Sequence, residues 1–125
     1  MGDINVLCVD DEEELVSAWV ERLQLRGIDA EGVTNGYEAI QLIKEKRFDV
    51  VILDIKMPGM SGFEIMKRIK TERQELPVIL ITGHHCQDDE NKGMLAGSFD
   101  CLVKPVDIEV LVDKIAKAAA RGNLK

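Results

Sequence analysis

Short apolar runs alternate along the chain with stretches in which apolar residues recur every three or four positions. Residues 4–9 are apolar except for Asn5, and an acidic stretch follows, as at the end of a buried strand. Leu15, Trp19 and Leu23, with Val16 and Val20 beside them, repeat at helical spacing, and Gly27 is placed to stop that helix. Residues 28–33 alternate apolar and polar, as a strand with one exposed side does. Asn35-Gly36 predicts a turn, and Ala39, Ile40 and Ile43 a second helical face. Residues 49–54 are the most apolar strand candidate. A loop containing Pro58, Gly59 and Gly62 then leads to a third helix carrying Phe63, Met66 and Ile69. Residues 76–81 predict a fourth strand, with Pro77 at its start, where a missing donor is tolerated. Residues 86–97 predict a weak fourth helix, polar early and interrupted by Gly93, and residues 99–103 a short fifth strand. Ile108, Leu111, Val112, Ile115 and Ala119 share one face of a last helix.

Five strands alternating with five helices predict an α/β fold, a doubly wound parallel sheet with helices on both faces. Continuous Val, Ile and Leu runs fit strands buried on both sides. A chain of 125 residues is expected to form one domain, residues 1–125, with its core in about residues 4–121. The 46% hydrophobic content suffices for a packed core, but with 4% aromatic residues that core must rest on aliphatic side chains. A net charge of −7 argues against direct nucleic-acid binding, which needs clustered Lys and Arg, and against anionic membrane surfaces. No run approaches the roughly 18 apolar residues of a membrane span, and the first residues lack a signal-peptide pattern, so a soluble cytoplasmic protein is expected. Cys8, Cys86 and Cys101 form no Cys-x-x-Cys motif or zinc-ligand set, and reduced thiols are expected.

In a parallel sheet all strands end on one edge, and ligands of open α/β sheets bind there. The first predicted strand leads into Asp10-Asp11, the third ends in Asp54, the fourth leads into Thr82 and the fifth into Lys104. Three carboxylates, a hydroxyl and an ammonium from distant parts of the chain are therefore expected at one rim. Crowded carboxylates either hold a proton or bind a cation, and an all-oxygen set suits a hard divalent ion such as Mg²⁺, or Mn²⁺. Beside such an ion a carboxylate can attack phosphorus. Lys104 can neutralise the equatorial oxygens, and the Thr82 hydroxyl can donate a hydrogen bond to one of them. Taken singly, each residue has a plainer reading. Asp11 and Glu14 could form a capping box, Asp54 could cap a turn before Pro58, and Thr82 and Lys104 could be ordinary loop residues. Convergence at four of five strand ends favours the chemical reading.

These residues also carry a resemblance. The chain resembles the receiver domain of two-component response regulators over nearly its whole length. The match rests on Val9-Asp10-Asp11-Glu12, on Val51-Ile52-Leu53-Asp54-Ile55-Lys56-Met57-Pro58-Gly59-Met60-Ser61-Gly62, on Pro77-Val78-Ile79-Leu80-Ile81-Thr82-Gly83 and on Phe99-Asp100-Cys101-Leu102-Val103-Lys104-Pro105. The resemblance implies a flavodoxin-like sheet of order 2-1-3-4-5. It implies Asp54 as phosphoacceptor, receiving phosphate from a sensor histidine kinase or a histidine phosphotransfer protein. It further implies Asp11, Asp54 and the backbone carbonyl of Lys56 as metal ligands, with Asp10 acting through water. Lys104 is implied as the phosphate-pairing cation before a cis bond to Pro105, and Thr82 as the switch hydroxyl. Lys56 and His84 occupy the positions that tune the lifetime of the acyl phosphate in this family. Homodimers through the face of the fourth helix, fifth strand and fifth helix are common among its members.

One position departs from the family pattern. Cys101 stands where the family usually carries the Tyr or Phe that changes rotamer with the threonine. A thiol is too small for that, so the transmission route is expected to differ. Phe99, two residues earlier, is expected on the same strand face. Three other readings compete. A Mg²⁺-dependent aspartyl-phosphate phosphatase of the haloacid dehalogenase type wants a second Asp where Lys56 stands. A nucleotide- or flavin-binding module wants a Gly-rich loop after the first strand. A receiver acting only as a phosphorylation-independent docking surface is disfavoured by the intact acid, hydroxyl and lysine set.

Overall fold

A computed structural model describes residues 4–83 and 97–122. Five strands form one sheet: β1 (Asn5–Val9), β2 (Asp29–Val33), β3 (Val50–Asp54), β4 (Val78–Thr82) and β5 (Asp100–Val103). All pair in parallel, in the order β2-β1-β3-β4-β5 expected from the resemblance. Four described helices complete the fold: α1 (Glu13–Gln24), α2 (Gly36–Glu45), α3 (Gly62–Glu72) and α4 (Ile108–Gly122). The weak helix predicted within residues 86–97 falls on residues 84–96, outside the described residues.

Because strand side chains alternate between faces, the sheet divides its core in two. Leu7, Val9, Val51, Leu53, Val78 and Leu80 pack against Ala39 and Ile43 of α2 and Ile65, Met66 and Ile69 of α3. Val6, Cys8, Val50, Ile52, Ile79 and Ile81 face Val16, Trp19 and Leu23 of α1 and Leu111, Ile115 and Ala118 of α4. Every residue of β3 and β4 is buried, which is why their sequences read as unbroken apolar runs. β2 and β5 lie at the edges and are only partly covered.

Local chemistry fixes the helix starts. Asn35 caps α2 through its side chain, which accepts from the Glu38 amide, so the predicted turn at Asn35-Gly36 is a helix entry. Ser61 caps α3 in the same way, from the Glu64 amide. Gly27 ends the first helical segment at φ +79°, a conformation that L side chains rarely adopt. Gly62 serves a different need. Its amide donates to the Ile55 carbonyl at 2.6 Å, and a Cβ there would fall against the Asp54 carbonyl and within 2.6 Å of the Ile55 Cα. Only glycine lets α3 begin this close to the end of β3.

Candidate functional site

Register brings the strand ends together. Val9 pairs with Leu53, so Asp10 continues beside Asp54. Asp54 pairs with Ile81, so Thr82 lies one residue further along the edge, level with Val103 and next to Lys104. The Lys104 amide donates to the Thr82 carbonyl at 2.8 Å, fixing the loop that leaves β5. The Lys104–Pro105 bond is cis, as the resemblance implies.

The carboxylates of Asp10, Asp11 and Asp54 offer oxygens that all lie within 4.8 Å of one another. Asp10 is fully buried and Asp54 is 4% exposed, whereas Asp11 is open to solvent. Lys104 Nζ sits 2.8 Å from Asp10 Oδ2 and 3.7 Å from Asp54 Oδ2. The other Asp10 oxygen accepts the Glu12 amide at 2.9 Å. Thr82 is fully buried at the end of β4.

Desolvation by burial pushes the Asp54 carboxyl up to about 6, and the negative charges of Asp10 and Asp11 push the same way. Lys104 and a backbone hydrogen bond from Lys56 oppose them and do not prevail. Desolvation pulls Lys104 down, but its hydrogen bond to Asp10 and the charges of Asp54, Asp10 and Glu12 together raise it. One ammonium thus faces more negative charge than it balances. A hard cation held by carboxylate oxygens fits that surplus, and no nitrogen or sulfur donor joins the cluster among the described residues.

The structure separates the sequence readings. The capping box of Asp11 and Glu14 does not form: the N-cap of α1 is Glu12, with no side-chain cap bond, which leaves Asp11 with the site. Cys101 is half-buried against the α2–α3 core, whereas Phe99 packs into the other core with Arg121 over its ring at 5.8 Å. Phe99 therefore does not share the face of Cys101, because β5 begins at Asp100 and the strand alternation stops short of it. Lys56 is exposed beside Asp54, and His84 lies outside the described residues. Neither Cys8 nor Cys101 is in a disulfide, and burial pushes the Cys8 thiol up to about 12. Glu12 belongs in sequence to the acidic stretch and to the first matching motif but carries no site role there, yet its Oε1 lies 3.6 Å from Lys104 Nζ. Its place directly after Asp10-Asp11 is the signal that points to it.

A cleft of about 440 Å³ opens beside this rim, walled by Leu15, Trp19, Arg22, Gly83, Lys104 and Val106. Another, of about 270 Å³, lies around Lys46, Arg47, Asp49, Arg73, Glu75 and Pro77. It lies where α2 and α3 end, so its cations complement helix C-termini and need no ligand.

Comparison with known proteins agrees with the geometry. The family model described as the response regulator receiver domain matches residues 6–116. The chain belongs to the response regulator receiver domain family. Among solved receiver structures, that of a response regulator receiver domain protein from Clostridium thermocellum is 32% identical, with a TM-score of 0.92 over 97% of this chain and 98% of that one. The chemotaxis protein CheY4 of Vibrio cholerae is 29% identical, with a TM-score of 0.88 over 94% and 99% of the two chains. The heme response regulator HssR of Staphylococcus aureus (strain Newman) is 29% identical over 121 residues, 97% of this chain. That alignment covers 54% of HssR, so the chain spans about half the length of the curated relatives it matches. No described helix of the receiver domain is long and apolar enough to cross a membrane.

Proposed function

We propose that this receiver domain is a phosphorylation-operated switch in which Asp54 accepts a phosphoryl group from a phosphohistidine on a sensor kinase or a histidine phosphotransfer protein. The observation that supports this most directly is the convergence of a buried Asp54 with Asp10, Asp11 and Lys104 at one rim. In the step, an Asp54 carboxylate oxygen forms a bond to phosphorus as the nitrogen–phosphorus bond of the donor breaks. The electron pair returns to the imidazole nitrogen, which takes up a proton. The Asp54 backbone, gripped between the Gly62 contact and the β4 ladder, holds the nucleophile still during the transfer. Lys104 follows the arriving phosphoryl oxygens, and the Thr82 hydroxyl turns to donate to one of them.

Asp10, Asp11, Asp54 and the backbone carbonyl of Lys56 would hold Mg²⁺ or Mn²⁺, and this ion supplies charge neutralisation for the phosphoryl oxygens. The receiver core extends over about residues 4–121 in this reading and works in the cytoplasm, where a histidine kinase presents its phosphohistidine. Apart from its own phosphorylation and dephosphorylation it catalyses nothing. Lys56 and His84 flank the path of the hydrolytic water and set the lifetime of the acyl phosphate. Unchanged dephosphorylation in both Lys56→Ala and His84→Ala would remove that role. The half-buried Cys101 replaces the switch aromatic, so the signal reaches a partner, or a second copy through the β5–α4 side, by a route other than an aromatic rotamer change.

Mass spectrometry after incubation with acetyl phosphate and Mg²⁺ tests the acceptor. The wild type is expected to gain one phosphoryl group, located on Asp54, and Asp54→Asn none. Equal labelling of the two proteins would place the acceptor elsewhere.

A further inference from the structure

Glu12 occupies the N-cap of α1, a position whose side chain commonly accepts an amide from the first turn of the helix. Its side chain makes no such bond. The carboxylate instead reaches across the rim from the β1–α1 loop to the β5–α4 loop, where Oε1 stands 3.6 Å from Lys104 Nζ. Asp10 holds the same ammonium at 2.8 Å from the buried side, while the Glu12 side chain is 66% exposed on the solvent side. With Asp54 at 3.7 Å, three acids share one lysine before any phosphoryl group arrives.

We propose that Glu12 is a positioning residue that retains Lys104 in this resting arrangement and so restrains phosphoryl uptake at Asp54. The inference rests on Asp54 being the acceptor. An incoming phosphoryl oxygen must draw the ammonium toward itself against both flanking acids. Asp10 is fixed, because it is fully buried and its other oxygen is committed to the Glu12 amide. Glu12 is the adjustable one, since rotation of an exposed side chain releases the lysine. Exposed ion pairs are weak, so the restraint is modest, about two- to five-fold in rate.

The experiment compares uptake of phosphate from acetyl phosphate, with Mg²⁺, by the full chain and its variants. Glu12→Gln is expected to react about two- to five-fold faster than wild type. Glu12→Asp, which keeps the charge but loses the reach, is expected to accelerate similarly. Glu13→Gln removes the same charge from a residue that forms no ion pair with Lys104, and is expected to match wild type. In a Lys104→Met background, Glu12→Gln is expected to change nothing. A metal-free readout accompanies these: the ¹⁵N resonance of the Lys104 ammonium is expected to move in Glu12→Gln and to stay in Glu13→Gln. Equal rates in Glu12→Gln and wild type, equal acceleration in Glu13→Gln, or acceleration that persists without Lys104 would each overturn the proposal. Wild type that labels at a residue other than Asp54 would instead overturn the acceptor assignment, and the resonance measurement would still report on the Glu12–Lys104 contact.

Discussion

Asp54 is buried among other acids, and its ionisation opposes folding. In the folded protein its carboxyl titrates near 6, against an ordinary 3.8, so the folded state keeps the proton through that interval. Its contribution to stability is therefore intact at acid pH, is lost as pH rises through about 6, and stays lost at neutral pH. Asp54→Asn, which carries no charge, is expected to be more stable than wild type near neutrality by on the order of 1–2 kcal/mol, once solvent screening at the open rim is allowed for. The difference should shrink below pH 6 and vanish near pH 4, as urea unfolding of both proteins across that range would reveal. A variant less stable than wild type at neutral pH would show that Lys104 already compensates the charge. Cys8 makes a second case at this scale. Its thiol is buried and held near 12, so an alkylating reagent is expected to leave it untouched in the native protein and to label it only on unfolding.

At the scale of elements, the glycine at the start of α3 sets the position of the nucleophile's backbone. Gly62→Ala would drive a methyl group into main-chain atoms of Asp54 and Ile55, which cannot swing aside as a side-chain tip can. A loss of about 1–3 kcal/mol is expected in denaturant unfolding, together with slower labelling of Asp54. Retention of full stability would mean that the α3 entry shifts freely. The sequence announced most of these elements because burial and alternation leave a mark on residue type. β3 and β4 were legible as unbroken apolar runs, and α1 as Leu15, Trp19 and Leu23 with their neighbours. Boundaries were less legible. Phe99 looked like a strand residue by composition, yet the alternation begins only at Asp100, and a cation over its ring anchors it to the other core. Asp11 matched a capping pattern, but the helix begins one residue later than that pattern requires. Gly62 read simply as part of a loop, because a close approach between two backbones leaves no trace in hydrophobic patterning.

Across the whole molecule, the arrangement of charge matters more than the net −7. Apolar patterning predicts five strands and their parallel pairing, but it does not order them, and the 2-1-3-4-5 sequence came from resemblance and was then found in the sheet. That order places β1 and β3 side by side, so that Asp10 and Asp54 meet although they stand 44 positions apart in the chain. A divalent ion held by these acids would stabilise the folded state. Mg²⁺ at about 100 times its dissociation constant is expected to add about 2.7 kcal/mol to the unfolding free energy. Asp11→Asn and Asp54→Asn should both forfeit most of that gain in a thermal melt with and without the ion. An equal gain in all three proteins would assign the cation to another place.

The cleft beside Lys104 has a practical corollary. One of its walls is Trp19, the single tryptophan of the chain, with Gly83 and Lys104 on the others. The indole shares that cleft with Lys104, so a movement of Lys104 on phosphorylation is expected to alter the light the indole emits. If emission does change, the progress of the switch is timed in a fluorimeter without attaching a dye; emission that stays constant while Asp54 is labelled would show that the cleft does not respond.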